Sequence, residues 1–239
     1  MRLKNFLSIL TISAVTSFTA TSCMISTATS KNEATSTYNV NTSYKSLSVR
    51  SAIKVDYRHD IDKIQIIADS SILSKIKVVH DEDGIEIYAS RFKSPFKVTA
   101  IVPASKELQS IEIAGASSFT SDRDIKAEKL DIEVSGASHF DANIDCQSLE
   151  VSVSGASSAE IGGKAVNAKI DVSGASKLSS KGEYLNTDYA DVDISGASTA
   201  EIICNKNITG EASGASKLSF GGVAKADVST SGASKVSRK

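Results

Sequence analysis

Residues 149–161 read Leu149-Glu150-Val151-Ser152-Val153-Ser154-Gly155-Ala156-Ser157-Ser158-Ala159-Glu160-Ile161. Apolar residues alternate with polar ones on both sides of a Ser-Gly-Ala-Ser unit. That pattern predicts two strands, each with one buried face, joined by a tight corner. Glycine accepts the positive φ that a corner needs, and its small neighbours let chain segments lie close together.

Outward from this stretch, Gly-Ala-Ser occurs seven times, beginning at Gly115, Gly136, Gly155, Gly174, Gly196, Gly214 and Gly232. The intervals are 21, 19, 19, 22, 18 and 18 residues. A period near ~20 residues predicts a solenoid. Two residues before each glycine stand Ile113, Val134, Val153, Val172, Ile194, Ala212 and Thr230. Four before it stand Ile111, Ile132, Val151, Ile170, Val192, Gly210 and Val228. Four after it stand Phe119, Phe140, Ala159, Leu178, Ala200, Leu218 and Val236. Each repeat therefore offers an inward face on either side of its corner. One coil cannot close a core, whereas stacked coils can. The expected fold is all-β, a right-handed parallel β-helix of seven coils over residues 111–239, its hand following from strand twist.

Residues 46–110 read as an irregular N-terminal β region continuous with the helix. Strands are expected over 47–57, 63–68, 76–79, 85–88 and 96–102, with Asp81-Glu82-Asp83-Gly84 as a hairpin-type turn. Ser51-Ala52-Ile53-Lys54 reads as a worn copy of the corner, and Pro103 marks the junction.

The run from Tyr44 to Ala89, then Pro103 and Leu108-Gln109-Ser110-Ile111-Glu112-Ile113-Ala114-Gly115-Ala116-Ser117, then units such as Val172-Ser173-Gly174-Ala175-Ser176-Lys177-Leu178, carry a resemblance. They resemble the putative autotransporter adhesin head (GIN) domain family, over about residues 44–239. The resemblance implies a β-helical fold and an adhesin role, and it brings no catalytic motif to carry over.

At the N-terminus, Arg2 and Lys4 precede an apolar stretch from Phe6 to Phe18, then Ala20-Thr21-Ser22 and Cys23. A charged start, a short apolar centre and a small-residue exit describe a secretory signal over residues 1–22. Cys23 stands where a bacterial lipoprotein carries its lipid, so it is the expected attachment site to a membrane, the outer membrane in this reading. From Met24 to Lys45, Ser, Thr and Asn supply 12 of 22 residues. That composition predicts a disordered tether over 23–45.

The chain carries 27 basic and 28 acidic residues, a net charge of −1, and −3 once residues 1–22 are removed. That balance argues against a nucleic-acid binder. Three residues before the glycines stand Glu112, Glu133, Asp171, Asp193 and Glu211, and five before stand Asp131, Glu150, Asp191 and Asp227. Together they predict an acidic face with carboxylates at steps of ~5 Å. Flat ladders seldom converge as calcium sites must, so a solvated face that discourages aggregation is the expected role. His59, His80 and His139 are scattered, and no metal or cofactor is expected. The corner serines read as structural, since none lies in a nucleophile elbow. Cys146 and Cys204 fall three coils apart, roughly 14 Å, and are expected as free thiols.

The longest repeat holds Tyr184 and Tyr189, the two tyrosines of the regular solenoid, on what reads as a protruding loop. They are the candidate ligand contacts, for a glycan or a protein partner. Three function classes follow. The first is a non-enzymatic, lipid-anchored envelope protein that binds a partner through the β-helix surface, facing the periplasm or the cell exterior. The second is a β-helical polysaccharide lyase or hydrolase, disfavoured by the scarcity of Arg between Arg123 and Arg238 and by the absence of Trp. The third is a structural module whose open last coil invites a second copy.

Overall fold

The computed structural model describes residues 32–81, 83–90, 97–180, 182 and 184–239. The expected signal segment and Cys23 lie outside the described residues. The N-terminal part comprises β1 (Glu33–Asn39), β2 (Ser46–Val49), β3 (Lys54–Arg58), β4 (Lys63–Asp69), β5 (Ile76–His80), β6 (Gly84–Ala89) and β7 (Val98–Pro103). The repeat supplies β8 (Ser110–Ile113), β9 (Ser118–Ser121), β10 (Ile125–Val134), β11 (His139–Val153), β12 (Ser158–Val172) and β13 (Lys177–Ser179). It continues through β14 (Asn186–Ile194), β15 (Thr199–Ala212), β16 (Lys217–Gly221), β17 (Lys225–Thr230) and β18 (Lys235–Arg238). These strands belong to one continuous sheet wound into a β-solenoid.

Pairing within the repeat is parallel and joins equivalent positions of successive coils. Val134 lies opposite Val153, which lies opposite Val172, which lies opposite Ile194. The columns two and four before the glycine are buried from Ile111 to Ile194, as alternation requires. On the far side of the corner, Phe119 and Phe140 stack 4.9 Å apart within the core, and Tyr57 packs against Phe119 at 5.5 Å.

The corner explains the tripeptide. Gly155 has φ +78, and a Cβ there would lie 2.5 Å from the carbonyl oxygen of Gly136. Only a residue without a side chain lets coils approach this closely. The Ala156 N–H donates to that same oxygen at 2.8 Å, and the bond repeats from coil to coil up to Ala233 and Gly214. The corner serines turn inward and are buried from Ser117 to Ser216. Several bond along the rod: Ser157 Oγ accepts the Ser138 N–H, and Ser216 Oγ donates to the Ile194 carbonyl. Among the described residues, Ser138 Oγ and Ser176 Oγ find no partner.

Ser51 and Ala52 form an eighth corner at φ 80 and 60, splitting the expected strand over 47–57 into β2 and β3. This coil stacks in parallel on β8 and β9, with Ser46 opposite Ser110 and Lys54 opposite Ser118. On its other side lie β6 and β7, again parallel. Antiparallel strands then close that end: β5 on β6, β4 on β7 and β1 on β4.

The expected tether over 23–45 is corrected over 33–45, its first residues, 23–31, lying outside the described ones. β1 pairs in unbroken register with β4, from Glu33 opposite Asp69 to Asn39 opposite Lys63. Tyr44 is 1% exposed, and its hydroxyl donates to the Pro103 carbonyl. A Thr- and Ser-rich segment suits a half-exposed edge strand as well as a tether, and composition alone does not separate the two.

Cys146, Ala165, Thr187 and Cys204 occupy successive steps of one column, so the two thiols are about 14 Å apart. Both are free and buried. Burial, with a smaller contribution from Asp145, pushes the Cys146 thiol up to about 11, which keeps it protonated and unreactive.

Candidate functional site

The parallel ladder breaks at Gln147, Val166 and Asp188, between paired flanking positions, and at Asp188 the register shifts by one residue against β15. Beside this break a groove of about 390 Å³ runs across the coils. One wall is the column seven residues before each glycine: Ser148, Asn167, Tyr189 and Asn207. The opposite wall is the column five before: Glu150, Lys169, Asp191 and Thr209. Between them lies a floor that includes Ala168 and Ala190, where flanking coils carry Leu149 and Ile208.

Its electrostatics are largely self-contained. Lys169 Nζ meets Glu150 Oε1 at 2.5 Å, and the Thr209 hydroxyl donates to Asp191 Oδ1 at 3.4 Å. Hydrogen bonding and charge from Glu150 hold the Lys169 ammonium above its ordinary range, so it stays protonated. Tyr189 is 46% exposed. Lys206 sits 5.1 Å from its ring centroid and is itself held by Asp188 at 2.9 Å. Among the described residues, the side-chain amides of Asn167 and Asn207 bond to no protein group, although they flank Tyr189 on the coils before and after it.

Tyr184, 38% exposed, has other company. The ammonium of Lys239 lies 5.6 Å from its ring and also meets the Glu201 carboxylate. Lys239 and the Tyr184 hydroxyl hold Glu201 below the usual carboxylate range, against the upward push of burial. Among the described residues the two tyrosines share no partner, and Tyr184 does not line the groove.

The acidic columns take the expected register but are interrupted. Glu112 faces Glu133; Ser152 intervenes; then Asp171, Asp193 and Glu211 follow one another. Burial, reinforced by Glu112 and Asp131, raises Glu133, while burial and Asp193 raise Asp171. Ser48 relieves one end by donating to Glu112 at 2.7 Å. Among the described residues no group of three or more His, Cys, Asp or Glu side chains converges to hold a metal. His139 Nδ1 meets Ser158 Oγ of the next coil at 2.8 Å and not its chain neighbour Ser138, which is 3% exposed. What the groove offers chemically is hydrogen bonding and an aromatic ring.

Sequence reasoning singled out Tyr189 but not the residues that flank it in the groove. Aligning the repeats seven positions before the glycine gives Leu108 in the first and then Lys129, Ser148, Asn167, Tyr189, Asn207 and Lys225, a column polar from the second repeat onward that was there to be read.

Among solved structures, the fold is similar to a "putative adhesin" from Bacteroides fragilis, with TM-score 0.77, 19% identity, and coverage of 88% of this chain and 98% of that one. It is also similar to a "putative adhesin" from Parabacteroides distasonis, with TM-score 0.68, 14% identity, and coverage of 87% and 97%. A "putative lipid binding protein" from the same species gives TM-score 0.66, 15% identity, and coverage of 87% and 97%. No curated protein matches the chain. The family described as "putative auto-transporter adhesin, head GIN domain" matches residues 43–224, and with that span, repeat and fold the chain belongs to it.

Proposed function

We propose that this chain is a non-enzymatic interaction module of the cell envelope, anchored to the outer membrane by a lipid on Cys23, that holds a glycan or protein partner on the outer face of its solenoid. The observation carrying this reading is the division between inside and outside. The corner serines from Ser117 to Ser216 and the thiols of Cys146 and Cys204 are packed into the wall, whereas the polar groove and carboxylate columns face outward. Membership of an adhesin-like family supports an envelope or surface role.

Two measurements on cells producing the full chain test it. Labelled palmitate is expected to enter the wild-type protein and not Cys23→Ala; labelling of the variant overturns the anchor. Protease added to whole cells is expected to cut the solenoid of an outward-facing adhesin; full protection overturns that orientation. Release of unsaturated or reducing ends from acidic or neutral polysaccharides by the purified chain overturns the non-enzymatic reading.

A second reading has its own observation. Among the described residues β17 and β18 each pair with a strand on one side only, and the inward residues Val228 and Val236 are only half-buried there. Such an edge pairs readily with another strand. If a second copy covers it, light scattering gives twice the monomer mass, and Val228→Lys restores the monomer.

A further inference from the structure

We propose that the groove beside Tyr189 is a binding site for a neutral saccharide chain. The sugar face would stack on the Tyr189 ring, and Asn167, Asn207, Ser148 and Thr209 would bond its hydroxyls. This rests on the reading above, that the outer face of the solenoid holds a partner, and names the partner's chemistry.

Four observations carry it. First, shape: at about 390 Å³ the groove falls within the ~300–1,000 Å³ of ligand sites, yet it is open and elongated. Its lining spans the coils of Lys129 to Asn207, four steps or roughly 19 Å. That form suits a chain of several sugar units better than a compact cofactor.

Second, the aromatic group is fixed before any ligand arrives. The Asp188–Lys206 pair bears on the Tyr189 ring at 5.1 Å, while the ring still lines the groove. A platform held this way loses little freedom on binding.

Third, the two side-chain amides are uncommitted. The amides of Asn167 and Asn207 stand one coil to either side of the ring, and among the described residues neither is used by the protein. Each supplies both a donor and an acceptor, which is what a sugar hydroxyl requires.

Fourth, charge is balanced. Lys129 and Lys169 are matched by Glu150 and Asp191, and the Lys169–Glu150 pair is closed on itself at 2.5 Å. An acidic polymer would find no basic excess, and a peptide strand would find neither a free sheet edge nor apolar pockets.

The test uses the full chain in a detergent without a sugar headgroup, with cellohexaose, mannohexaose and chitohexaose as neutral probes and polygalacturonate as the acidic one. Calorimetry reports binding. Tyrosine fluorescence gives a second signal, since the chain has no Trp. At least one neutral hexasaccharide is expected to bind. Tyr189→Ala is expected to weaken it about tenfold or more, truncation of a central aromatic anchor typically costing at least that much. Tyr189→Phe retains binding, and Asn167→Ala with Asn207→Ala weakens it. Tyr184→Ala leaves it unchanged, because Tyr184 lies with Lys239 and Glu201 instead. Since Tyr189 is half-exposed, an unchanged melting temperature confirms that the variant is folded.

Binding that survives Tyr189→Ala overturns the site. Failure of all three neutral probes, or preference for polygalacturonate, overturns the saccharide class. In each case the interaction-module reading stands if the chain still attaches to envelope material, and falls with the proposal if it does not.

Discussion

A methyl group added at Gly155 would enter space already taken by the carbonyl oxygen of Gly136, 2.5 Å away, on a backbone at φ +78. The positive φ alone costs an L-residue about 1–2 kcal/mol, and overpacking adds a similar amount. Gly155→Ala is therefore expected to lower the melting temperature by on the order of 10 °C, read by circular dichroism. The reverse change works at Ser51, a non-glycine residue at φ 80. There Ser51→Gly removes the strain at the expense of a freer unfolded chain, for a net gain of about 0.5–1 kcal/mol. Within the core, Phe140 is fully buried and stacked on Phe119. Phe140→Ala opens a cavity expected to cost about 3–5 kcal/mol in urea unfolding.

At the scale of strands, the carboxylates of β10 and β12 set a dependence on pH. Burial first, and neighbouring carboxylates second, raise Asp131, Glu133 and Asp171. The folded chain thus holds these protons more tightly than the unfolded chain does, so stability falls as pH rises from the ordinary carboxylate range, ~4, through the raised values. Hydrogen bonds act oppositely on Asp60 and Asp69, lowering both, and that stabilisation is lost below the ordinary range. The double variant Glu133→Gln, Asp171→Asn is expected to have a higher urea midpoint than wild type at pH 7, with the difference shrinking toward pH 4. A gap that does not change with pH would show that it does not arise from ionisation of these carboxylates.

The same strands show what periodicity reveals and what it hides. Alternation around each Gly-Ala-Ser fixes which residues face inward, so the buried columns, the reduced cysteines and even the Ser51 corner were legible. β1 was not. Its partner lies outside the repeat, and an edge strand such as Thr35-Ser36-Thr37 needs no apolar face. Of the groove, Tyr189 stood out as an aromatic in a polar repeat. Asn167 and Asn207 did not, because an amide on a strand surface says nothing until the register places it beside a ring.

For the molecule as a whole, the order of layers differs from the order of the chain. β2 and β3 come early in sequence yet lie between β6 and β7 on one side and β8 and β9 on the other. A truncation starting at His59 therefore removes an inner storey and leaves two unfilled faces; it is expected to be insoluble. A truncation starting at Asn32 keeps the stack and is expected to remain folded.

The ribosome delivers this polypeptide amino end first. Val49 and Val55 emerge with nothing to rest against, and the Ile53 N–H must wait for Ser117, 64 residues later, to receive its acceptor. β6 and β7 emerge first and cover one side of this coil; until Ser117 arrives its other side stays bare, which slows closure and leaves time for wrong partners. Once Ser117 and Phe119 arrive, the early coil is locked from both sides, and every later turn is laid on a finished foundation.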